Sequence, residues 1–293
     1  MASITFCVNL CLCSMKQGQI YYQYTWIINT LMALVAVGVV FASCSNVDNP
    51  YNVTPPDGKY VLVKDSITSP DGELQMYVWE YDAEGKMAKE TFDFHHSDNT
   101  SDHIVSTYTY SENLITRKSV KNDETTYFAY CYLNSKGLVE RIKDELGESE
   151  CSYKYDDDDH VMLCMEDGRD SLVWKNGDAV SYVINTAEGG IINFTSSPYE
   201  VDFPYLMAYL PYYENALSPM GFFGKTTRHL ISNLHFEHEA DGKSSYLNGD
   251  FSYVVRGGLV VEFTADIDEW YFENGETEDY SRIEHHYLTW RKL

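Results

Sequence analysis

Four groupings of residues in this 293-residue chain have the types to do chemistry. The run Asp156-Asp157-Asp158-Asp159-His160 offers four carboxylates of the kind that ligate Ca²⁺. Adjacent residues in a hairpin point in different directions, however, and the spaced ligands and terminal Glu of a calcium loop are missing, so the run reads as a solvated turn. The histidines His95-His96, His285-His286 and His235 with His238 suggest a transition metal. On a strand, neighbours and residues three apart face opposite ways, so none of these pairs chelates one ion. His235 and Glu237 do share a face, but no third ligand stands at a defined spacing. Gly224-Lys225-Thr226 imitates the end of a phosphate loop, yet that loop needs a glycine where Pro219 stands. The 45 Asp and Glu are too many to single out a glycosidase pair, and no HExxH, GxSxG or recognisable Cys–His arrangement occurs. We therefore assign no catalytic, metal-binding or cofactor-binding residue and expect no cofactor.

The elements that would position any site are strands. Tyrosine is abundant at 25 residues, and tyrosine fits a half-buried pleated surface while keeping its hydroxyl near water. From Tyr60 onward, runs of four to eight strand-forming residues alternate with short turns such as Asp82–Lys86, Asn134–Gly137, Asn176-Gly177 and Arg256-Gly257-Gly258. No helical pattern of ten residues intervenes, which excludes parallel βαβ units. The unit is well seen in Leu74–Phe94, an aromatic-rich run, a five-residue turn with Gly85, and a second alternating run. In Leu74–Tyr81 one face carries Leu74, Met76 and Val78 and the other Tyr77, Trp79 and Tyr81. Such a sheet is expected to cover both faces by curling on itself or by packing something inside.

The first 43 residues read as an address. Leu31–Ala42 is a 12-residue apolar run, too short to span a bilayer and the right length for a signal-peptide core. Phe41-Ala42-Ser43-Cys44 follows and resembles the lipobox of bacterial lipoproteins. The resemblance implies cleavage before Cys44 and acylation of Cys44, with several acyl chains anchoring the protein to a bilayer. Met15 precedes the sole basic residue of this stretch, Lys16, and is an alternative start to Met1. Residues 44–58 read as a lipidated flexible tether, in which Asn46–Gly58 holds Pro50, Pro55 and Pro56 and reaches up to ~40 Å at ~3.1 Å per residue. Of the cysteines that remain, Cys131, Cys151 and Cys164, the last two flank a turn and would meet only if the hairpin paired them directly. Free thiols are the expectation.

Beyond residue 43 the chain holds 20 Lys and Arg against 45 Asp and Glu. A surface that acidic repels nucleic acid, so no nucleic-acid partner is expected. It leaves open cations, uncharged glycans and basic proteins.

Between Tyr199 and Leu234 the alternation stops. Phe203–Pro211 is apolar and broken by proline, and we expect short helical turns at Tyr205–Leu210 and Thr226–Leu234, with the segment folded into the sheet as a plug. Two resemblances bear on architecture. The phrase Trp79-Glu80-Tyr81-Asp82, with looser copies at Tyr108–Ser111, Tyr130–Tyr132 and Tyr153–Asp156, resembles the tyrosine–aspartate repeats of bacterial shell-forming and surface proteins. Leu217-Ser218-Pro219-Met220-Gly221-Phe222-Phe223-Gly224-Lys225-Thr226, followed by Leu230-Ile231, resembles a signature in a family of uncharacterised Gram-negative secreted lipoproteins described as having a porin-like fold. That resemblance covers roughly Lys59 to the C-terminus and implies a large curved or barrel-like sheet without a known activity.

The expected fold is all-β, a large curved or barrel-like antiparallel meander with one short helical or irregular insertion near residues 200–234. Residues 1–43 are a lipoprotein signal peptide, 44–58 a tether and 59–293 a single β domain. The expected protein is an outer-membrane lipoprotein, on the periplasmic or cell-surface face. It binds or shields an apolar molecule, a glycan or a protein partner and is non-enzymatic. The alternatives are a glycan-acting hydrolase with paired carboxylates inside the sheet, and a structural envelope component.

Overall fold

The structure is a computed structural model and describes residues 58–293, apart from 71, 98–99, 146–149, 166–169, 185–189, 202, 204–216, 218–219, 241–242 and 274–275. The expectations for residues 1–57, including the signal peptide, Cys44 and nearly all of the tether, lie outside the described residues, as does the expected helical turn at 205–210.

Seventeen strands make one antiparallel sheet. They are β1 (Tyr60–Thr68), β2 (Leu74–Tyr81), β3 (Met87–His95), β4 (Ser101–Ser111), β5 (Leu114–Lys121) and β6 (Thr125–Leu133). Then come β7 (Val139–Asp144), β8 (Glu150–Tyr155), β9 (Val161–Met165), β10 (Asp170–Lys175), β11 (Asp178–Ile184) and β12 (Gly190–Glu200). After an insertion follow β13 (His229–Ala240), β14 (Lys243–Arg256), β15 (Leu259–Glu273), β16 (Glu276–Asp279) and β17 (Arg282–Lys292). Each strand through β15 pairs with the next, and β1 pairs with β17, so the meander returns on itself as a barrel. β16 and β17 pair with successive stretches of β15 and occupy one position in the wall. The seam between β9 and β10 is thin, with two paired positions. Among the described residues no helix occurs. Thr226–Leu234, expected as a helical turn, instead enters β13 at His229, because its partners on β12 and β14 supply a ladder that a short helix lacks.

The wall is apolar inside and polar outside. Tyr77 and Trp79 point inward and are buried, while Leu74 is 37% exposed on the outer face. The expectation that both faces are covered is therefore corrected: the aromatic face fills the barrel and the aliphatic face of β2 borders water. Curling buries one face of a sheet, and aromatic rings have the volume to fill a wide interior.

The near end of the barrel, where β1 starts and β17 finishes, is built by repetition. Asp82 Oδ1 accepts from the backbone N–H groups of Glu84 and Lys86. Asn134 Oδ1 does the same for Lys136 and Leu138, and Asp156 Oδ1 for Asp158 and His160. Gly85, Gly137 and Asp159 take the positive φ that this turn needs, at 77°, 79° and 68°. Just before the turn stands an aromatic whose polar tip reaches back to the preceding unit. Tyr81 donates to the Leu62 carbonyl at 2.7 Å, Tyr110 to Met87 at 2.8 Å and Tyr155 to Val139 at 2.6 Å. Trp174 donates to Val161 at 2.7 Å and Trp290 to Val260 at 2.6 Å. Every accepting residue is 2% exposed or less. The tyrosine–aspartate phrase is thus a latch followed by a turn. Strands β2, β6 and β8 all bulge just before the turn, at Glu80/Tyr81, Tyr132/Leu133 and Lys154/Tyr155, and in the third copy the latch place is held by Leu133, which has no hydroxyl to donate.

The insertion seals this end. Val201, Phe203, Leu217 and Phe223 are buried in the core, with Phe203 edge-on to Phe263 and Phe223 edge-on to Tyr153. The described part of the segment therefore forms the expected plug. It is held by backbone bonds to the turns: Val139 N–H to the Phe222 carbonyl, Lys225 N–H to Asp159 and Arg228 N–H to Gly177. A Cβ on Gly224, whose φ is +77°, would overlap the Asp159 carbonyl oxygen. This explains the Gly-Lys-Thr string without a phosphate.

Two substitutions separate these effects. Tyr155→Phe leaves one buried carbonyl without its donor and costs about 1 kcal/mol. Gly224→Ala forces both an unfavourable φ and a backbone clash and costs more, about 2–3 kcal/mol. Denaturant midpoints at constant m-value check the order; equal losses would show that the strap does not bear on the turn.

Candidate functional site

The inner wall is not uniformly apolar. Away from the latches, a polar chain crosses β15, β17 and β1. His286 Nδ1 lies 2.8 Å from Asp65 Oδ2, and its Nε2 lies 3.6 Å from Glu284 Oε2. Arg282 follows, with Nε 3.9 Å from Glu284 Oε1 and Nη1 3.5 Å from Glu269 Oε2. Nearby on β2 and β3, Trp79 Nε1 donates to Glu90 Oε2 at 2.8 Å, and Gln75 and Glu90 are 5% exposed. Strand alternation places these residues. Glu284, His286 and Leu288 share the inner face of β17, and Asp65 and Ile67 share that of β1, with Ile67 opposite His286. The His286 ring stacks on Phe263 at 3.9 Å, which fixes its orientation.

Burial and charge set the protonation states. Burial alone would lower the His286 pKa, but the Asp65 and Glu284 carboxylates outweigh it and lift it to about 9. Burial pushes Glu284 up to about 7, against the pull of His286 and Arg282. Arg282 is lowered by burial and partly restored by Glu284 and Glu269. At neutral pH the arrangement is an imidazolium held between two carboxyl groups.

These are the ingredients of acid–base catalysis in the wrong place for it. Asp65 and His286 are 0% and 1% exposed and Glu284 is 3%, so these groups are closed off from solvent. Asp65 and His286 lie 221 residues apart in sequence and join the first strand to the last. What the arrangement does is fasten the closure of the barrel.

Of the residues singled out in the sequence, His286 lies in this chain and the others fall elsewhere. Asp156 spends its carboxylate on the backbone of its own turn. Burial raises its pKa, but the bonds from His160 and Asp158 hold it below the usual range. His285 faces out and His286 in, and the same split separates His95 from His96 and His235 from His238. His235 and Glu237 do share the outer face, but among the described residues no group of three potential ligands is placed to hold a metal ion. Cys151 is not opposite Cys164: Tyr153 is, two residues off the register a disulfide would need. Cys131, buried, and Cys151, half-buried, form no disulfide. The sequence reading missed the Asp65 partner of His286. Its signal was an aspartate set among the apolar residues of β1, but no spacing rule links strands so distant in sequence.

A scan against protein-family models finds no match to the chain, and neither does a search of curated proteins. Solved structures do match. A porin-like protein from Bacteroides uniformis aligns with a TM-score of 0.52 and 14% identity, over 82% of this chain and 100% of its own. A porin-like protein from Bacteroides vulgatus aligns with a TM-score of 0.48 and 15% identity, over 79% of this chain and 99% of its own. The first likeness shows a shared barrel-like fold, and at such identity the fold alone.

The polar chain makes stability depend on pH with a definite sign. Both His286 and Glu284 have folded values above their ordinary 6.5 and 4.5. The folded state therefore holds protons that the unfolded chain has lost, and stability falls as pH rises. Glu284 acts between about 4.5 and 7, and His286 between about 6.5 and 9. Thermal midpoints should decline from about pH 5 to about pH 9. His286→Gln should flatten the decline above about pH 7 and, by stranding Asp65, cost about 3–5 kcal/mol near pH 6. A decline in the alkaline range that survives the substitution would assign it to other groups.

Proposed function

We propose that this is an exported lipoprotein of the outer membrane, anchored through acylated Cys44, whose barrel serves a non-catalytic binding or structural role through its outer surface. The observation that carries the non-catalytic part is the filled interior. Aromatics of the wall and Phe203, Leu217 and Phe223 of the insertion form one core, and the inward carboxylates Asp65, Glu90 and Glu284 are buried within it. An apolar or glycan ligand, or a protein partner, then meets the outside of the wall. The hydrolase reading loses support because its carboxylates lack access.

The wall also argues for a tethered domain over a spanning one. A membrane-spanning barrel needs an apolar outer band and a polar lumen. Here the outer positions of β2 to β5 include Glu80, Lys89, Asp93, His103 and Lys118, while Trp79, Phe92 and Phe94 face in. Anchorage then falls to the Phe41-Ala42-Ser43-Cys44 sequence.

The test is metabolic labelling with a radioactive fatty acid in a Gram-negative host, followed by membrane fractionation. The native chain should take up label and sediment with the outer membrane. Cys44→Ser should lose both while its far-ultraviolet circular dichroism stays that of a β protein. Retention of the Cys44→Ser protein in membranes would overturn the anchoring.

A further inference from the structure

The barrel is electrically polarised along its axis. Each connection is counted from the last residue of one strand to the first of the next, with β16 included in the connection from β15 to β17. Among the described residues the near end, with Lys59 and Lys292, then holds eight Lys and Arg against nine Asp and Glu, a net charge of −1. The far end holds three against eleven, a net charge of −8. The two ends are built from the same kind of hairpin, so the antiparallel topology alone does not create this difference.

Lys59, near the start of the described residues, and the C-terminal Leu293 both lie at the less acidic end. Leu293 donates its N–H to the Lys59 carbonyl at 2.9 Å, which places the root of the tether beside the C-terminus. Exposed cations stand on the turns and strap of this end: Lys86 and Lys225, and Lys136, Arg228 and Arg256, which pair with Asp159, Glu200 and Glu262 and so offset the carboxylates there. Their fields reach about 8–10 Å in physiological salt, the range over which a surface is felt on contact. From these observations we infer that the near end is the face that sits on the anionic bilayer surface, with the acidic end held away from it. This rests on the anchoring proposed above.

The tether does not dictate that posture. At up to ~40 Å it is long enough for the barrel to lie on its side or to turn its far end inward. Electrostatics selects among these poses. An anionic leaflet attracts juxtamembrane Lys and Arg by about 1 kcal/mol each near the surface and repels carboxylates over the same range. The far end, with its large excess of acid, is driven off, and the near end, close to balance, is admitted.

The experiment measures which end lies near the lipid. A fluorophore is placed on the near-end turn through Ser135→Cys or on the far-end strand β16 through Thr277→Cys, both at exposed positions. Quenching by headgroup-labelled lipid is read in vesicles of phosphatidylglycerol and phosphatidylcholine. The protein is attached in two ways: as the native full chain, and as full-length Cys44→Ser protein with an N-terminal histidine tag on nickel-chelating lipid. The Ser135→Cys label should be quenched several-fold more than the Thr277→Cys label. Lys86→Glu, Lys136→Glu and Arg256→Glu together should abolish that preference. Equal quenching of the two labels on tag-attached protein, or stronger quenching at Thr277→Cys, overturns the orientation. A preference untouched by the three substitutions overturns its electrostatic origin. If the native chain fails to attach while the tagged protein still orients, the acylation is wrong and the orientation stands.

Discussion

An antiparallel meander leaves two edges of unpaired backbone, and this protein removes both by pairing its first strand with its last. Every other feature of the wall depends on that closure. It determines which face becomes the interior, brings the two chain ends together and ends the sheet without an aggregation-prone edge along most of its length. The closure is reinforced from inside. Asp65 and His286, both without solvent contact, pair across β1 and β17, and Arg282 and Glu284 extend the chain of charges along the same seam. A buried pair of this kind is a modest source of stability but a strong penalty on the wrong register. A one-residue slip of β17 against β1 would send His286 outward and leave Asp65 alone in the core.

Around that seam the barrel divides into two regimes. Near the chain ends, each aromatic covers its own turn and gives its hydroxyl or indole N–H to the carbonyl one unit back. Adjacent hairpins are thereby fixed to one another independently of the ladder bonds. The described part of the insertion uses the same turns as anchor points, through backbone bonds to Val139, Asp159 and Gly177. Toward the other end the interior admits polar groups, among them the buried Tyr182–Asp170 bond and the Ser106–Ser119 pair. The chain's excess of carboxylates opposes close approach of like-charged copies.

Much of the fold is legible in the amino-acid sequence, for a local reason. A turn residue and the alternation beside it act within a few residues, so the strands from Leu74 to Tyr155 stand nearly where the pattern puts them. Local reading fails where a distant neighbour decides. Thr226–Leu234 has a helical look when read alone but is drawn into β13 by the open ladders of β12 and β14. Glu276–Asp279 reads as loop because its residues are all polar, yet it pairs with the end of β15. The register of β8 on β9 depends on a bulge at Lys154 and Tyr155 and cannot be counted from the turn outward.

By itself, the sequence determined the class: antiparallel strands, their turns, an apolar insertion and a surface rich in acid. These follow from residue types and short spacings, which act locally. Only the tertiary structure decided that the sheet closes, that the aromatic face is the inner one and that His286 finds Asp65. Each of these joins groups far apart in the chain, and no periodicity carries information across 221 residues. The opposition of a near-neutral end and an acidic end is present in the residues themselves. It becomes visible once the meander sorts alternate connections to opposite ends.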